Sequence, residues 1–341
     1  MVPINTENVI KELTKKGFIK DLSISVFSKN KFIKEFEKIG ETSSFYIFSA
    51  GKPLIAAIIW KLVEKEIINF NDPICKFWPE FGKKNKDNIT IKHVLTHSSG
   101  VSLTSSLSDR DYTDLNRVSR WIENYIPESE PGERIAYHEV TYGWILGELI
   151  YRVTNKTFEE NFKDLVGDPL GLSSISFNSR TQKYPKKIIR HNSSKLTTIP
   201  TIFNIFYANQ IPLISGTCIS NSYDLAKFYN ELINNNKWLK RKFKKNILRS
   251  HIEGNDYNSE LKFTKLGLGV RLNSKIINIS SKENSDTFGH SGLVSCVGLG
   301  SFEQNISIAI LNNLLLSDEL NEYRMTQLIS AIILDLNKMK L

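Results

Sequence analysis

The chain has 341 residues, 40% of them hydrophobic and 24% charged, so it can bury one large core or two moderate ones and is too apolar for a disordered protein. Its net charge of +9 favours encounters with anionic partners, and its 3 cysteines, far apart and without Cys-x-x-Cys spacing, indicate neither a disulfide framework nor a zinc site. No segment approaches the roughly 20 apolar residues that cross a bilayer. The start, Met1 to Leu13, mixes charges among its apolar residues, unlike a secretory signal, which makes a cytoplasmic, reducing location the expectation.

In chain order, a short helix is predicted near Asn8 to Lys16. The runs Leu22-Ser-Ile-Ser-Val-Phe27 and Phe32-Ile-Lys-Glu-Phe36 then alternate with period two about the polar break Ser28-Lys-Asn-Lys31, which predicts an antiparallel hairpin. Ser49-Ala-Gly-Lys52 follows, at the head of the apolar run Pro53 to Val63, and a helix is expected over Ser49 to Glu66. Pro53 suits its first turn, where no intrahelical acceptor awaits the missing N–H. A helix apolar on nearly all sides belongs inside a protein.

Ser and Lys three apart on one helical face place an amine within reach of a hydroxyl. The N–H groups of a helix N-terminus, in turn, stabilise the negative charge that develops in acyl transfer. The same spacing recurs at Ser28 to Lys31 and Ser259 to Lys262. Those two lie in polar stretches with no long apolar helix behind them, and a Lys-rich chain produces such matches by chance. Ser49 is therefore the candidate nucleophile and Lys52 its amine partner.

Further along, helical periodicity is read over Ile91 to Thr96, Leu115 to Tyr125, Thr141 to Val153, Phe158 to Leu165 and Ser222 to Asn234. Tyr137 precedes the third of these within Pro131-Gly-Glu-Arg-Ile-Ala-Tyr-His-Glu139. A phenol near an ammonium loses its proton more readily and can relay protons between a serine and a leaving group. The cluster Lys237 to Lys245 reads as a solvated basic helix face, and no nucleic-acid motif accompanies it. Near the end, Leu293 to Leu299 and Ile306 to Leu311 flank Glu303-Gln-Asn305 as a second hairpin, and Thr326 to Leu336 as a closing helix. His290-Ser291-Gly292 leads into the first of those strands. Its small residues permit close approach to the backbone, the N–H of Leu293 with that of Ser49 suggests an oxyanion hole, and His290 is expected to donate a hydrogen bond to substrate. His97 is expected to be a satisfied structural histidine, and His93, His138, His191 and His251 show no metal-ligand spacing.

Strands at both ends with helices between them predict an α+β, three-layer α/β/α architecture: one antiparallel sheet from both chain ends, flanked by helices, with an inserted helical region and the termini close in space. One domain over 1–341 is expected, its α/β part at about 1–65 and 235–341 and its helical part at about 66–234.

The order Ser-x-x-Lys, Tyr, then a polar residue with a small residue and Gly on a late strand, resembles the serine β-lactamase and penicillin-binding-protein superfamily, nearest its class C-like branch. Ile89 to Gly100, Tyr142 to Glu148, Asp168 to Leu172 and Ser215 to Ala226 support the resemblance, which runs from about Ile24 to Leu336. It implies a β-lactamase/transpeptidase-like fold and acyl-enzyme chemistry on Ser49, with Lys52 and Tyr137 moving protons and no cofactor. Two departures matter. The family's Tyr motif commonly carries Asn where Glu139 stands, and its Lys-Thr-Gly motif is here His290-Ser291-Gly292. A β-lactam or stem peptide presents a carboxylate, which Lys pairs with and Glu repels, so the departures point to a small-molecule ester, or a small amide or lactone, as substrate. β-Lactamase or D-Ala-D-Ala carboxypeptidase activity, acyl transfer at the same site, and a non-catalytic member of the fold are the alternatives. Specific nucleic-acid binding is not expected.

Overall fold

The computed structural model describes residues 4–38, 44–102, 114–177, 185–197, 213–258, 263–274, 279, 286–294 and 296–339. The Ser259 to Lys262 match lies outside the described residues. The helices are α1 (Ile4–Lys15), α2 (Lys52–Glu64), α3 (Ile91–Leu95), α4 (Leu115–Asn124), α5 (Thr141–Thr154), α6 (Phe158–Phe162), α7 (Asp168–Leu170), α8 (Ser222–Asn234), α9 (Arg241–Ile247) and α10 (Asp318–Lys338). The strands are β1 (Leu22–Ser28), β2 (Lys31–Lys38), β3 (Phe45–Tyr46), β4 (Ile189–Arg190), β5 (Ile219–Ser220), β6 (Ile252–Asn255), β7 (Phe263–Leu266), β8 (Arg271–Leu272), β9 (Thr287–Ser291), β10 (Val297–Ser301), β11 (Ile306–Asn312) and β12 (Leu314–Leu315).

An 8-stranded sheet runs in the order β2-β1-β11-β10-β9-β8-β7-β6, with every neighbouring pair antiparallel. Lys29 and Asn30, both at left-handed φ, turn the β1–β2 hairpin, in keeping with the mirror-image turns that match strand twist. The chain ends meet where β1 pairs with β11, Leu22 opposite Asn312 and Ser28 opposite Ile306. Asp335 closes the same junction by accepting from the N–H and hydroxyl of Thr6 at 2.8 and 2.7 Å.

Period-two alternation sorts the sheet faces. Leu22, Ile24 and Val26 of β1 and Ile306, Ile308 and Ile310 of β11 pack with Leu13 of α1 and Met325, Leu328, Ile332 and Leu336 of α10. Phe27, Ala309 and Leu311 face the other way, into a larger core shared with α2, α5 and α8. On that face the hydroxyls of Ser23 and Ser25 each lie 2.7 Å from the hydroxyl of Ser222 at the start of α8. Helices thus cover both faces, the three-layer α+β architecture expected of the sequence. Among the described residues no helix is long and apolar enough to cross a membrane.

Several boundaries depart from expectation. The 158–165 helix divides into α6 and a wider turn over Lys163–Gly167. The strand expected at Leu293 starts at Val297 instead, because Leu293 and Val294 form the turn between β9 and β10. Strands β6 to β8 were not foreseen, because short strands with charged, half-exposed residues carry a weak alternation signal. In the basic cluster, Trp238 and Leu239 are buried and so is Lys244, whose ammonium donates to the carbonyl of Ile233 at 3.4 Å, so that face is only partly solvated.

Candidate active site

The chain reaches Ser49 through an unusual backbone turn. Phe48 has a left-handed φ of 50°, strained for a residue with a Cβ, and starts a 3-10 turn over Phe48–Gly51. Ser49 therefore sits ahead of the α-helix rather than within it, a correction to the expected Ser49 start, and α2 begins at Lys52 with Pro53 in its first turn. Gly51 allows close packing here, since a Cβ on it would lie 2.8 Å from Cβ of Cys218. Behind the turn, α2 is anchored by Leu54, Ile55, Ile58, Ile59 and Leu62, all buried, each contributing about 1.5–3 kcal/mol through its removal from water. The indole of Trp60 donates to the carbonyl of Leu268 at 2.8 Å.

The Lys52 side chain is fully buried, and its Nζ donates to Oγ of Ser49 at 3.1 Å and to the carbonyl of Glu139 at 2.8 Å. The same ammonium lies 4.8 Å from the ring centre of Tyr137 and 5.7 Å from that of Tyr142. Tyr137, far from Ser49 and Lys52 in sequence, is therefore brought beside them. Glu139 contributes its backbone carbonyl to Lys52, while the residue itself is exposed.

The Tyr137 segment is strapped by residues 256–258. Asp256 Oδ1 accepts the N–H of Tyr137 at 2.9 Å and that of Asn258 at 3.1 Å, and Asn258 Nδ2 donates to the Tyr137 carbonyl at 3.4 Å and to the Ser102 hydroxyl at 2.7 Å. Arg271 of β8 places its guanidinium 5.0 Å from the Tyr137 ring centre. Neither Asp256 nor Arg271 was foreseen from sequence. The available hint was glycine spacing in Leu266-Gly-Leu-Gly-Val-Arg271: a Cβ on Gly269, at φ +94°, would lie 2.4 Å from Cβ of Ala56, so this turn passes directly over α2.

His290 lies within β9, rather than ahead of a strand, and is buried, its ring centre 6.0 Å from that of Tyr137. Its Nδ1 is 2.8 Å from the carbonyl of Ser291, which can only accept, so Nδ1 carries the proton. Burial, reinforced by Arg271 and Lys52, pushes its pKa well below the ordinary histidine value. The neutral ring then presents a lone pair at Nε2, a buried atom without a hydrogen-bond partner among the described residues. In this protonation state Nε2 can accept a hydrogen bond. Gly292 permits close approach: a Cβ there would lie 2.2 Å from the carbonyl oxygen of Ile47, so the turn carrying Ser291, Gly292 and Leu293 packs on the turn carrying Ser49.

His97 is a satisfied structural histidine. It is buried at left-handed φ, and its Nδ1 accepts the N–H of His138 at 3.1 Å. His138 in turn donates from Nδ1 to the Ala136 carbonyl at 2.6 Å and accepts at Nε2 from the Ser99 hydroxyl at 2.6 Å. Burial holds both uncharged, His138 down at about 4 and His97 well below its usual value. For a histidine whose folded-state pKa is depressed, the unfolded chain binds more protons as pH falls below about 6.5, so stability is present above that value and declines beneath it. Urea unfolding at pH 5.5 rather than 7.5 is therefore expected to show a lower midpoint, reflecting a loss of unfolding free energy of up to about 1.4 kcal/mol for each of His97, His138 and His290. Equal midpoints at the two pH values would contradict neutral burial.

Comparison with known proteins places this geometry in context. The family model described as Beta-lactamase matches residues 6–331. Over 142 residues, 42% of this chain and 33% of the relative, the sequence is 26% identical to "Esterase/beta-lactamase LipL" of Mycobacterium tuberculosis. Over 211 residues, 60% of this chain and 50% of the relative, it is 31% identical to "Teichoic acid D-alanine hydrolase" of Staphylococcus aureus. The chain spans half or less of the length of these curated relatives. Among solved structures, a family VIII carboxylesterase superposes with a TM-score of 0.84 over 97% of each chain at 18% identity, a likeness of fold.

Proposed function

The chain belongs to the β-lactamase family, and from that premise we propose that it is a serine hydrolase cleaving carboxylic esters, or small amides or lactones, through an acyl-enzyme on Ser49. The observation that carries this reading is the 3.1 Å hydrogen bond from buried Lys52 Nζ to Ser49 Oγ, with the Tyr137 ring against the same ammonium. Ser49 attacks the acyl carbon, Lys52 and Tyr137 move the proton from its hydroxyl to the leaving group, and the N–H groups of Ser49 and Leu293 hold the oxyanion. Water then resolves the ester; an alcohol in its place makes the site an acyltransferase. His290, Ser291 and Gly292 line the acyl site, and Glu139 supports it through its carbonyl.

Ester preference over β-lactams rests on His290. A neutral imidazole supplies no charge to pair with the carboxylate of a β-lactam or stem peptide. The site draws Ser49 from the 3-10 turn before α2, Lys52 from α2, Tyr137 from the helical region and His290 from the sheet, which supports one catalytic domain over 1–341. A second reading, release of D-alanine from a teichoic acid, is favoured by the 31% identical relative of that name.

Intact-mass detection of an acyl adduct, against a panel of simple esters, lactones, β-lactams and a D-alanylated teichoic acid, tests substrate class and chemistry together. Adducts from simple esters and their steady turnover are expected. Faster nitrocefin turnover would move the assignment to a β-lactamase, and no adduct from any panel member or from a fluorophosphonate would leave a non-catalytic member of the fold. Tyr137→Phe, which keeps the ring and its packing, is expected to lower kcat by about 10²–10⁴-fold, the usual contribution of a positioned acid–base group. Wild-type kcat in that variant removes Tyr137 from the mechanism.

A further inference from the structure

Among the described residues, Tyr137 is faced by charged or titratable groups from several elements. Lys52 of α2 lies 4.8 Å and Arg271 of β8 lies 5.0 Å from its ring centre, with the rings of His97 and His290 at 4.7 and 6.0 Å. His138 follows it in the chain and packs on His97 at 5.3 Å, Tyr142 of α5 lies 5.2 Å from His97, and Asp256 binds the Tyr137 N–H. Burial keeps the three histidines uncharged and pushes the Tyr142 hydroxyl well above its ordinary pKa, so that ring stays neutral. Among the described residues, the charged groups shown beside Tyr137 are then Lys52, Arg271 and Asp256.

Arg271 is only 5% exposed, and its own partners are loose. Nη1 donates to the Thr264 hydroxyl at 3.2 Å, and Nη2 lies 3.7 Å from Asp256 Oδ2, while Oδ1 of that carboxylate is taken by the N–H groups of Tyr137 and Asn258. A buried cation of this kind is costly unless something uses its charge. Over a neutral phenol it gains the attraction of the ring quadrupole, and over a phenolate it gains a full opposite charge, so it favours the ionised form.

We propose that Arg271 is a positioning residue for Tyr137: with Asp256 gripping the backbone, its guanidinium fixes the ring beside Lys52 and favours the phenolate that takes up the Ser49 proton. This rests on the hydrolase reading above. In the step concerned, the Ser49 O–H bond breaks as Oγ bonds to the acyl carbon, and the proton forms an O–H bond on Tyr137. As the acyl carbon–leaving-group bond breaks, its electron pair stays on the leaving oxygen, which receives that proton and regenerates the phenolate.

The test is the pH profile of kcat/KM for a p-nitrophenyl ester in the full chain, wild type against Arg271→Met and Arg271→Lys, with fluorophosphonate labelling of each. In Arg271→Met the acid limb is expected to move about one pH unit upward, giving about a tenfold loss at low pH that narrows as pH rises. Arg271→Lys keeps the charge and is expected to hold the limb near its wild-type position at a reduced kcat. A role confined to packing lowers activity evenly across pH, and that result, or an unmoved limb in the Met variant, overturns the proposal. Should Arg271→Met fail to fold, Arg271→Gln keeps polar contacts to Thr264 and Asp256 without the charge and is read by the same criterion. Wild-type protein that resists labelling overturns the hydrolase reading itself; labelled wild type with an unmoved limb overturns the role of Arg271 alone.

Discussion

Ser49→Ala is expected to abolish acyl-enzyme formation and to lower ester turnover by about 10⁴-fold or more, the scale on which a covalent nucleophile is missed. The change removes one oxygen from a half-buried side chain at the mouth of a 3-10 turn, so little core packing is lost. Lys52 keeps its 2.8 Å bond to the Glu139 carbonyl, which leaves its ammonium with a partner. The variant should therefore unfold within a few degrees of the wild type. Intact mass after fluorophosphonate treatment, initial rates on esters and a thermal melt check the three parts separately, and turnover at the wild-type rate would exclude Ser49 as nucleophile.

Lys52→Met should be nearly as damaging to chemistry and more damaging to stability. Methionine has a similar linear shape but no ammonium, so Ser49 loses its hydrogen-bond donor and the Tyr137 ring loses the cation beside it, and a loss of about 10²–10⁴-fold in the acylation rate is expected. The Glu139 carbonyl loses its donor as well. Leaving such a group unpaired in a buried site costs about 1–3 kcal/mol, offset by the easier burial of a neutral side chain. Single-turnover acylation, measured well below the melting temperature, separates the two effects. A folded Lys52→Met protein that acylates at the wild-type rate would remove the amine from the mechanism and leave proton transfer to Tyr137 alone.

The parts of the molecule that could be read in advance are those governed by local periodicity. The alternation of Leu22 to Phe27, the apolar run after Ser49 and the amphipathic pattern of Ser222 to Asn234 each appear close to their expected bounds, because burial of one face selects residue type at every second or every third to fourth position. Strands β6 to β8 escaped notice for the converse reason. They lie toward one edge of the sheet, with short and partly exposed residues such as Glu253 and Lys265, and impose little selection on hydrophobicity. The displaced start of β10 has a related cause: Leu293 and Val294 are apolar because their turn packs against the Ser49 turn, which period counting mistakes for a strand.

Ser49-Ala-Gly-Lys52 was distinguishable by sequence alone, since the buried helix that follows it sets it apart from the other Ser-x-x-Lys matches, and the order of Tyr137 and His290-Ser-Gly after it carried the family resemblance. The ionic state of the site was decided by tertiary structure. Whether His290 donates or accepts depends on the Ser291 carbonyl beside Nδ1 and on burial beneath Arg271 and Lys52. Likewise, the Glu139 carbonyl meets Lys52 because the turn before α5 points that oxygen at it. Arg271 reaches Tyr137 because Gly269 lets the turn before β8 pass close to α2. Residue type and spacing record which groups a chain carries, but charge and proton position depend on the distance, desolvation and partners that only the folded chain supplies.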